Sequence, residues 1–176
     1  TGTNGKTTTT SLIYKILSDA GFDVALGGNI GESFAYSVAT KVYDWYVLEL
    51  SSFQLDGMFD FRANVAVLMN ITPDHLDRYD NDMQKYTDSK MRIIRNQEAD
   101  DAFIYWADDP IIKVELDKYG IKAQKCPFSI LSKNGMIGYI DNGTYTLETP
   151  TPFNMEQESL ALDGKHNMYN SLAAGL

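Results

Sequence analysis

Cysteine is almost missing from this sequence: Cys126 is the single one in 176 residues. One thiol excludes an internal disulfide and fits a reducing compartment. Positive charge is also short. Fifteen Lys and Arg stand against 24 Asp and Glu, a net charge of −9. The basic residues are scattered, with only a loose group from Lys85 to Arg95. Proteins that hold polynucleotide phosphates carry a basic patch, so no nucleic-acid partner is expected. No apolar run approaches the ~20 residues of a membrane helix, and no signal-peptide pattern is visible. Neither a membrane partner nor a repeat, linker or low-complexity segment is expected. What is present is ordinary: 44% hydrophobic and 22% charged residues, enough chain for one domain with a proper core.

Residues 8–20 place Leu12, Ile13, Ile16, Leu17 and Ala20 at helical spacing, and Gly21 ends the run. FDVAL (22–26) reads as a short strand, GGNIG (27–31) as a glycine-rich turn, and 32–40 as a helix. VYDWYVLEL (42–50) and NVAVLMNI (64–71) end in nearly unbroken apolar runs, as strands buried on both faces do. Met83–Gln97 is expected to be a helix, AFIYW (102–106) a strand, and 110–119 a helix. Beyond 121 the segments shorten, and Asn-Gly pairs at 134–135 and 142–143 signal hairpins. KHNMYNSLAAGL reads as a final helix. Strands alternating with helices predict an α/β fold: a mostly parallel sheet flanked by helices, with a small antiparallel extension near 126–150.

The first residues carry the clearest chemistry. GTNGKT (2–7) leads directly into a helix. Gly2 and Gly5 permit close backbone approach, and the N–H groups of the loop, with Thr3 and Asn4 in it, then face an anion at the helix start. Lys6 can reach phosphates and the Thr7 hydroxyl can sit on Mg²⁺. In open α/β sheets, ligands lie beyond the carboxyl ends of the strands. There Glu49 puts a charge at the end of an apolar strand, where a buried carboxylate is costly unless paired or on a metal. A solvated strand-end glutamate is the plainer alternative. His75, just past a strand between Asp74 and Asp77, could ligate metal, orient substrate oxygens or simply sit in a loop. On helix 83–97, Lys90 falls in the middle of the face that carries Met83, Tyr86, Ile93 and Ile94. It either snorkels or serves a site. A lysine amine reacts with CO₂ only when neutral, and at a reference pKa of ~10.4 roughly one in a thousand is neutral near pH 7.4.

Taken together, the phosphate loop, GGNIG, LELSSFQL (48–55), NITPDHLDRY (70–79) and GKHNMYNSLAA (164–174) resemble the central, ATP-binding domain of the Mur ligases. The resemblance spans nearly the whole chain. It departs at Glu32-Ser33, where family members often have a proline. GGNIG, LELSSFQL and NITPDHLDRY point to the member that adds D-glutamate to UDP-N-acetylmuramoyl-L-alanine. The resemblance implies that Lys6 and Thr7 hold ATP phosphates and Mg²⁺, and that Glu49 binds a first Mg²⁺. His75 would bind a second together with a carbamylated Lys90. Asn29 and Ser51 would contact the UDP-muramoyl substrate, and Asn167 and Asn170 would lie at the adenine. It also implies a three-domain bacterial cytoplasmic enzyme, monomeric, of which 1–176 is the middle domain cut at both ends. A uridine-binding N-terminal domain and an amino-acid-binding C-terminal domain would complete it, and the fragment alone would be inactive. A sister ligase, a folylpolyglutamate synthase and a non-catalytic phosphate-loop module are the competing readings. A GTPase is not supported, because NKxD is absent and the sole DxxG, Asp117–Gly120, lies far from the loop.

Overall fold

The computed structural model describes residues 1–160 and 162–176. Its elements alternate as the apolar runs expect: α1 (Lys6–Asp19), β1 (Val24–Gly28), α2 (Phe34–Thr40), β2 (Trp45–Glu49), α3 (Ser52–Asp56) and β3 (Val65–Leu68). They continue with α4 (Met83–Met91), β4 (Ala102–Trp106), α5 (Pro110–Glu115), β5 (Gln124–Ser129), β6 (Gly138–Asp141), β7 (Thr144–Leu147), β8 (Phe153–Glu156) and α6 (Lys165–Gly175). Caps explain two of the helix starts. The Asp82 carboxylate accepts from Gln84 N and Lys85 N, and Asp109 accepts from Ile111 N and Ile112 N with Pro110 at the first helical position. The helix expected over 83–97 ends at Met91 and tightens into a 3-10 turn, Arg92–Ile94.

Strand pairing divides into two sheets rather than one. β1 and β2 form a parallel pair. The other six run in the order β3-β4-β5-β6-β7-β8, parallel as far as β6 and antiparallel beyond it. The antiparallel part therefore covers 138–156, and β5 belongs to the parallel sheet. Asn142 and Gly143 both have positive φ, 48° and 80°, the two left-handed residues that a tight hairpin turn needs, and they join β6 to β7. Asn134-Gly135 makes no hairpin, because β5 and β6 are parallel. Ser129 bonds Asp108, accepts from Leu131 N and Ser132 N, and so turns the chain off the end of β5. The chain then returns beside β5, with Ile137 N donating to Pro127 O.

The six-stranded sheet separates two cores, and β4 shows why it is apolar throughout. Phe103 and Tyr105 face Leu55, Tyr86, Met91 and Ile112, while Ile104 faces Phe128, Tyr145 and Leu172. Helices α3, α4 and α5 thus cover one face and α6 the other, with α1 packed on α6 and β2. Between β2 and β3 runs a largely apolar cavity of about 820 Å³. The backbone of residues 1–3 enters beside β3, with Thr1 N on Val67 O, Met69 N on Thr1 O and Thr3 N on Asn70 O. The phosphate loop therefore begins at the carboxyl end of β3.

Phe103 is fully buried, whereas Phe153 is half exposed on β8. Phe103→Ala is expected to lower unfolding stability by about 3–5 kcal/mol, through lost burial and a cavity. Phe153→Ala should lower it by less than about 1.5 kcal/mol. Urea unfolding of the two variants checks the difference.

Candidate functional site

Gly5, at φ 82°, N-caps α1 with no side-chain cap, so the first-turn N–H groups of α1 are left for a ligand. A Cβ at this position would overlap the Asn170 carboxamide oxygen, a second reason for glycine there. Lys6 Nζ folds onto Thr3 O at 2.8 Å. Thr3 Oγ1 donates to Thr72 O at 3.1 Å, accepts from Thr72 N at 3.0 Å and lies 3.0 Å from the Tyr86 hydroxyl. Of the threonine run 7–10, Thr9 and Thr10 are buried, and Thr9 Oγ1 reaches Asn170 Oδ1 at 3.3 Å.

Glu49 ends β2 and is 2% exposed. Thr7 Oγ1 donates to its Oε2 at 2.8 Å, and Asn29 Nδ2 donates to its Oε1 at 2.7 Å. Asn29 N also donates to Glu49 O at 2.8 Å. The glycines before Asn29 allow this approach: Gly28 sits at φ 97°, and a Cβ on it would overlap Glu49 O. The carboxylate has no ion-pair partner among the described residues. A buried carboxylate and a threonine hydroxyl side by side are hard oxygen donors, which suits Mg²⁺. Asn29, which the resemblance gives to substrate, here orients Glu49. Ser51 caps α3: its hydroxyl donates to Gln54 Oε1 at 2.9 Å and accepts from Gln54 N at 3.4 Å.

Lys90 falls on the buried face of α4, as its helical position expects, and is 2% exposed. Its Nζ donates to Gly2 O at 3.0 Å and stands 4.6 Å from the Tyr86 ring centroid. Among the described residues no carboxylate pairs with it. Burial first, and the Lys6 charge second, lower its pKa to about 7, against an opposing pull from Asp74. Near neutral pH the free amine is thus a major species rather than a trace.

His75 is placed differently. Its side chain is 62% exposed, with Nε2 3.6 Å from Asp74 Oδ2, and its ring meets the edge of Phe53 at 5.7 Å. No hydrogen bond joins it to Lys90 among the described residues. Its φ of 49° is left-handed, a strained conformation for a non-glycine residue. A network that periodicity did not reveal anchors this segment. Tyr79 OH donates to Asp56 Oδ2 at 3.0 Å and lies 3.2 Å from Ser89 Oγ, which donates to Ser52 O at 2.9 Å. It links the neighbours of His75, Ser51 and Lys90. Tyr86 reads as a plain apolar position in the sequence, because its hydroxyl partner, Thr3, is remote. Asn170 is buried, donating to Asn167 Oδ1 at 3.1 Å, and Asn167 Nδ2 donates to Asp163 O at 2.7 Å. Asn167 therefore serves the start of α6, and Asn170 backs the phosphate loop at Gly5 and Thr9. Among the described residues no three His, Cys, Asp or Glu side chains converge.

The Lys90 pKa has a consequence for stability. In the unfolded chain the amine stays protonated up to about 10.5, but in the folded chain it loses its proton near 7. Between these values the unfolded state binds more protons, so stability rises with pH across that window. Lys90→Met is expected to flatten the rise of the urea midpoint between pH 7 and about 9, below the tyrosine range.

The Mur ligase middle domain family model matches residues 1–176. The chain is 61% identical over 176 residues to the UDP-N-acetylmuramoylalanine--D-glutamate ligase of Bacteroides fragilis, covering 100% of this chain and 40% of that relative. It thus spans about two fifths of the length of such relatives. A solved UDP-N-acetylmuramoyl-L-alanyl-D-glutamate--2,6-diaminopimelate ligase matches 98% of this chain and 40% of its own, at TM-score 0.73 and 22% identity. MurF ligase from Thermotoga maritima, in complex with ADP, matches 98% of this chain and 42% of its own, at TM-score 0.67 and 22% identity. The chain belongs to the Mur ligase middle domain family.

Proposed function

We propose that this chain is the ATP-binding part of an ATP-dependent amide ligase that joins D-glutamate to UDP-N-acetylmuramoyl-L-alanine in a bacterial cytoplasm. The observation that carries the reading is Glu49, buried without a counter-charge among the described residues and hydrogen-bonded to Thr7 at the phosphate loop. The name of the 61% identical relative supports the choice of substrates. A carboxylate oxygen of the acceptor attacks the γ-phosphorus of ATP, giving an acyl phosphate and ADP. The amine of D-glutamate then displaces phosphate and forms the amide. Uridine binding and amino-acid binding are assigned to the remainder of the full-length protein.

The chain's residues act mainly by position and charge. The N–H groups of Gly5 and the first turn of α1, with Lys6, face the phosphates, where negative charge develops; the Thr3 and Asn4 N–H groups, expected to face the anion as well, are spent on Asn70 instead. Thr7 and Glu49 hold Mg²⁺, which when bound neutralises phosphate charge. Lys90, once its neutral amine adds CO₂ and loses a proton, presents a carbamate, which with His75 suits a second ion. Asn29 and Ser51, besides their roles toward Glu49 and α3, lie on the strand ends that face the acceptor. Asn167 and Asn170 border the adenine side.

The test is coupled ADP release by the full-length protein with UDP-N-acetylmuramoyl-L-alanine and a panel of amino acids. Turnover specific to D-glutamate is expected, and turnover with another amino acid instead moves the chain to a sister ligase. Lys6→Ala should reduce kcat by about 100-fold or more, the scale for losing a group that meets developing charge. Lys90→Ala should lose turnover and regain part of it with added short carboxylic acids. An unaffected Lys90→Ala would remove the second metal from the scheme.

A further inference from the structure

Asn70 lies two residues past the end of β3, outside every role given above. Its carboxamide Oδ1 accepts from Asn4 N at 2.7 Å, and its Nδ2 donates to Asn4 O at 2.9 Å. Its own carbonyl accepts from Thr3 N at 2.9 Å. We propose that Asn70 is a positioning residue that holds the phosphate loop in its nucleotide-binding shape, and this rests on residues 2–7 being the nucleotide site.

Beyond Leu68 the β3 ladder has ended, yet the loop must keep a fixed distance from it. A short carboxamide carries one acceptor and one donor side by side, so it mimics a peptide group and supplies one more ladder rung. Only one orientation of the amide satisfies both bonds. Aspartate keeps the acceptor but sets a carboxylate oxygen against Asn4 O, and a serine hydroxyl ends one bond short of both carboxamide positions. The rung has two effects. It spends the Asn4 N–H on protein, leaving phosphate to the groups that follow at Gly5 and the start of α1. It also fixes the Asn4 peptide just before Gly5, whose left-handed φ aims that helix start. A loop ordered in advance does not lose that freedom when nucleotide binds.

The experiment is Mg·ADP titration calorimetry and steady-state kinetics on the full-length protein and its Asn70→Ala, Asn70→Ser and Asn70→Asp variants. Loss of the paired bonds should weaken ADP binding about tenfold in Asn70→Ala, with the KM for the UDP-muramoyl substrate changed less than about twofold. Asn70→Asp should weaken ADP at least as much as alanine, despite its near-identical shape. Asn70→Ser serves if the alanine variant does not fold. A variant with a lower melting temperature but wild-type ADP affinity would overturn the proposal, since a purely structural clip behaves that way. ADP and UDP-substrate constants that worsen together would also overturn it. If the unmodified protein binds no Mg·ADP, the nucleotide reading itself fails, and this proposal with it.

Discussion

The hydrogen bonds that lay residues 1–4 along the end of β3 set the reference frame for the whole site. Thr1 and Thr3 pair with the backbone of 67–70, and the Thr3 side chain bonds Thr72 and Tyr86. Through Tyr86 the loop is tied to α4, and through Thr72 to the segment that leads to His75. Each of these bonds is weak taken alone, about 1 kcal/mol net. Together they bring three separate elements to the place where α1 starts, and the uncapped N-terminus of that helix can then present its N–H groups to an anion.

Around that frame the protein buries two charges of opposite sign without pairing them with each other. Glu49 is held by two neutral donors, and Lys90 by a carbonyl and an aromatic face. Neither arrangement repays the full cost of leaving water. The lysine responds by giving up its proton near neutrality. The carboxylate keeps hydrogen-bonding partners that also suit a cation. Such sites lower stability locally, and the two apolar cores on either side of β4 offset that loss.

Much of the fold was legible because burial leaves a periodic trace. β2 and β4 read as strands because both faces are covered, and Lys90 was placed on the inner face of α4 by its angle relative to Tyr86 and Ile93. Asn142-Gly143 was legible because a hairpin needs two left-handed residues in sequence. Asn134-Gly135 carries the same letters without a hairpin, because Ser129 and Asp108 redirect the chain before it. The gap between the two sheets was not legible either, since strand spacing along the chain does not say which strands pair.

The sequence by itself determined the chemistry available: a glycine-lysine-threonine loop opening a helix, a carboxylate ending an apolar strand, and a lysine on an apolar helical face. Those follow from local rules, since turns, periodicity and strand ends act within a few residues. Tertiary structure alone decided which groups meet. That Asn29 turns to Glu49, that Thr7 shares the same carboxylate, that Asn170 backs onto Gly5 and that Asn70 braces Asn4 are contacts between residues 20 to 165 positions apart. Side-chain hydrogen bonds over such separations leave no periodic pattern, because the partner's position depends on how the whole chain packs.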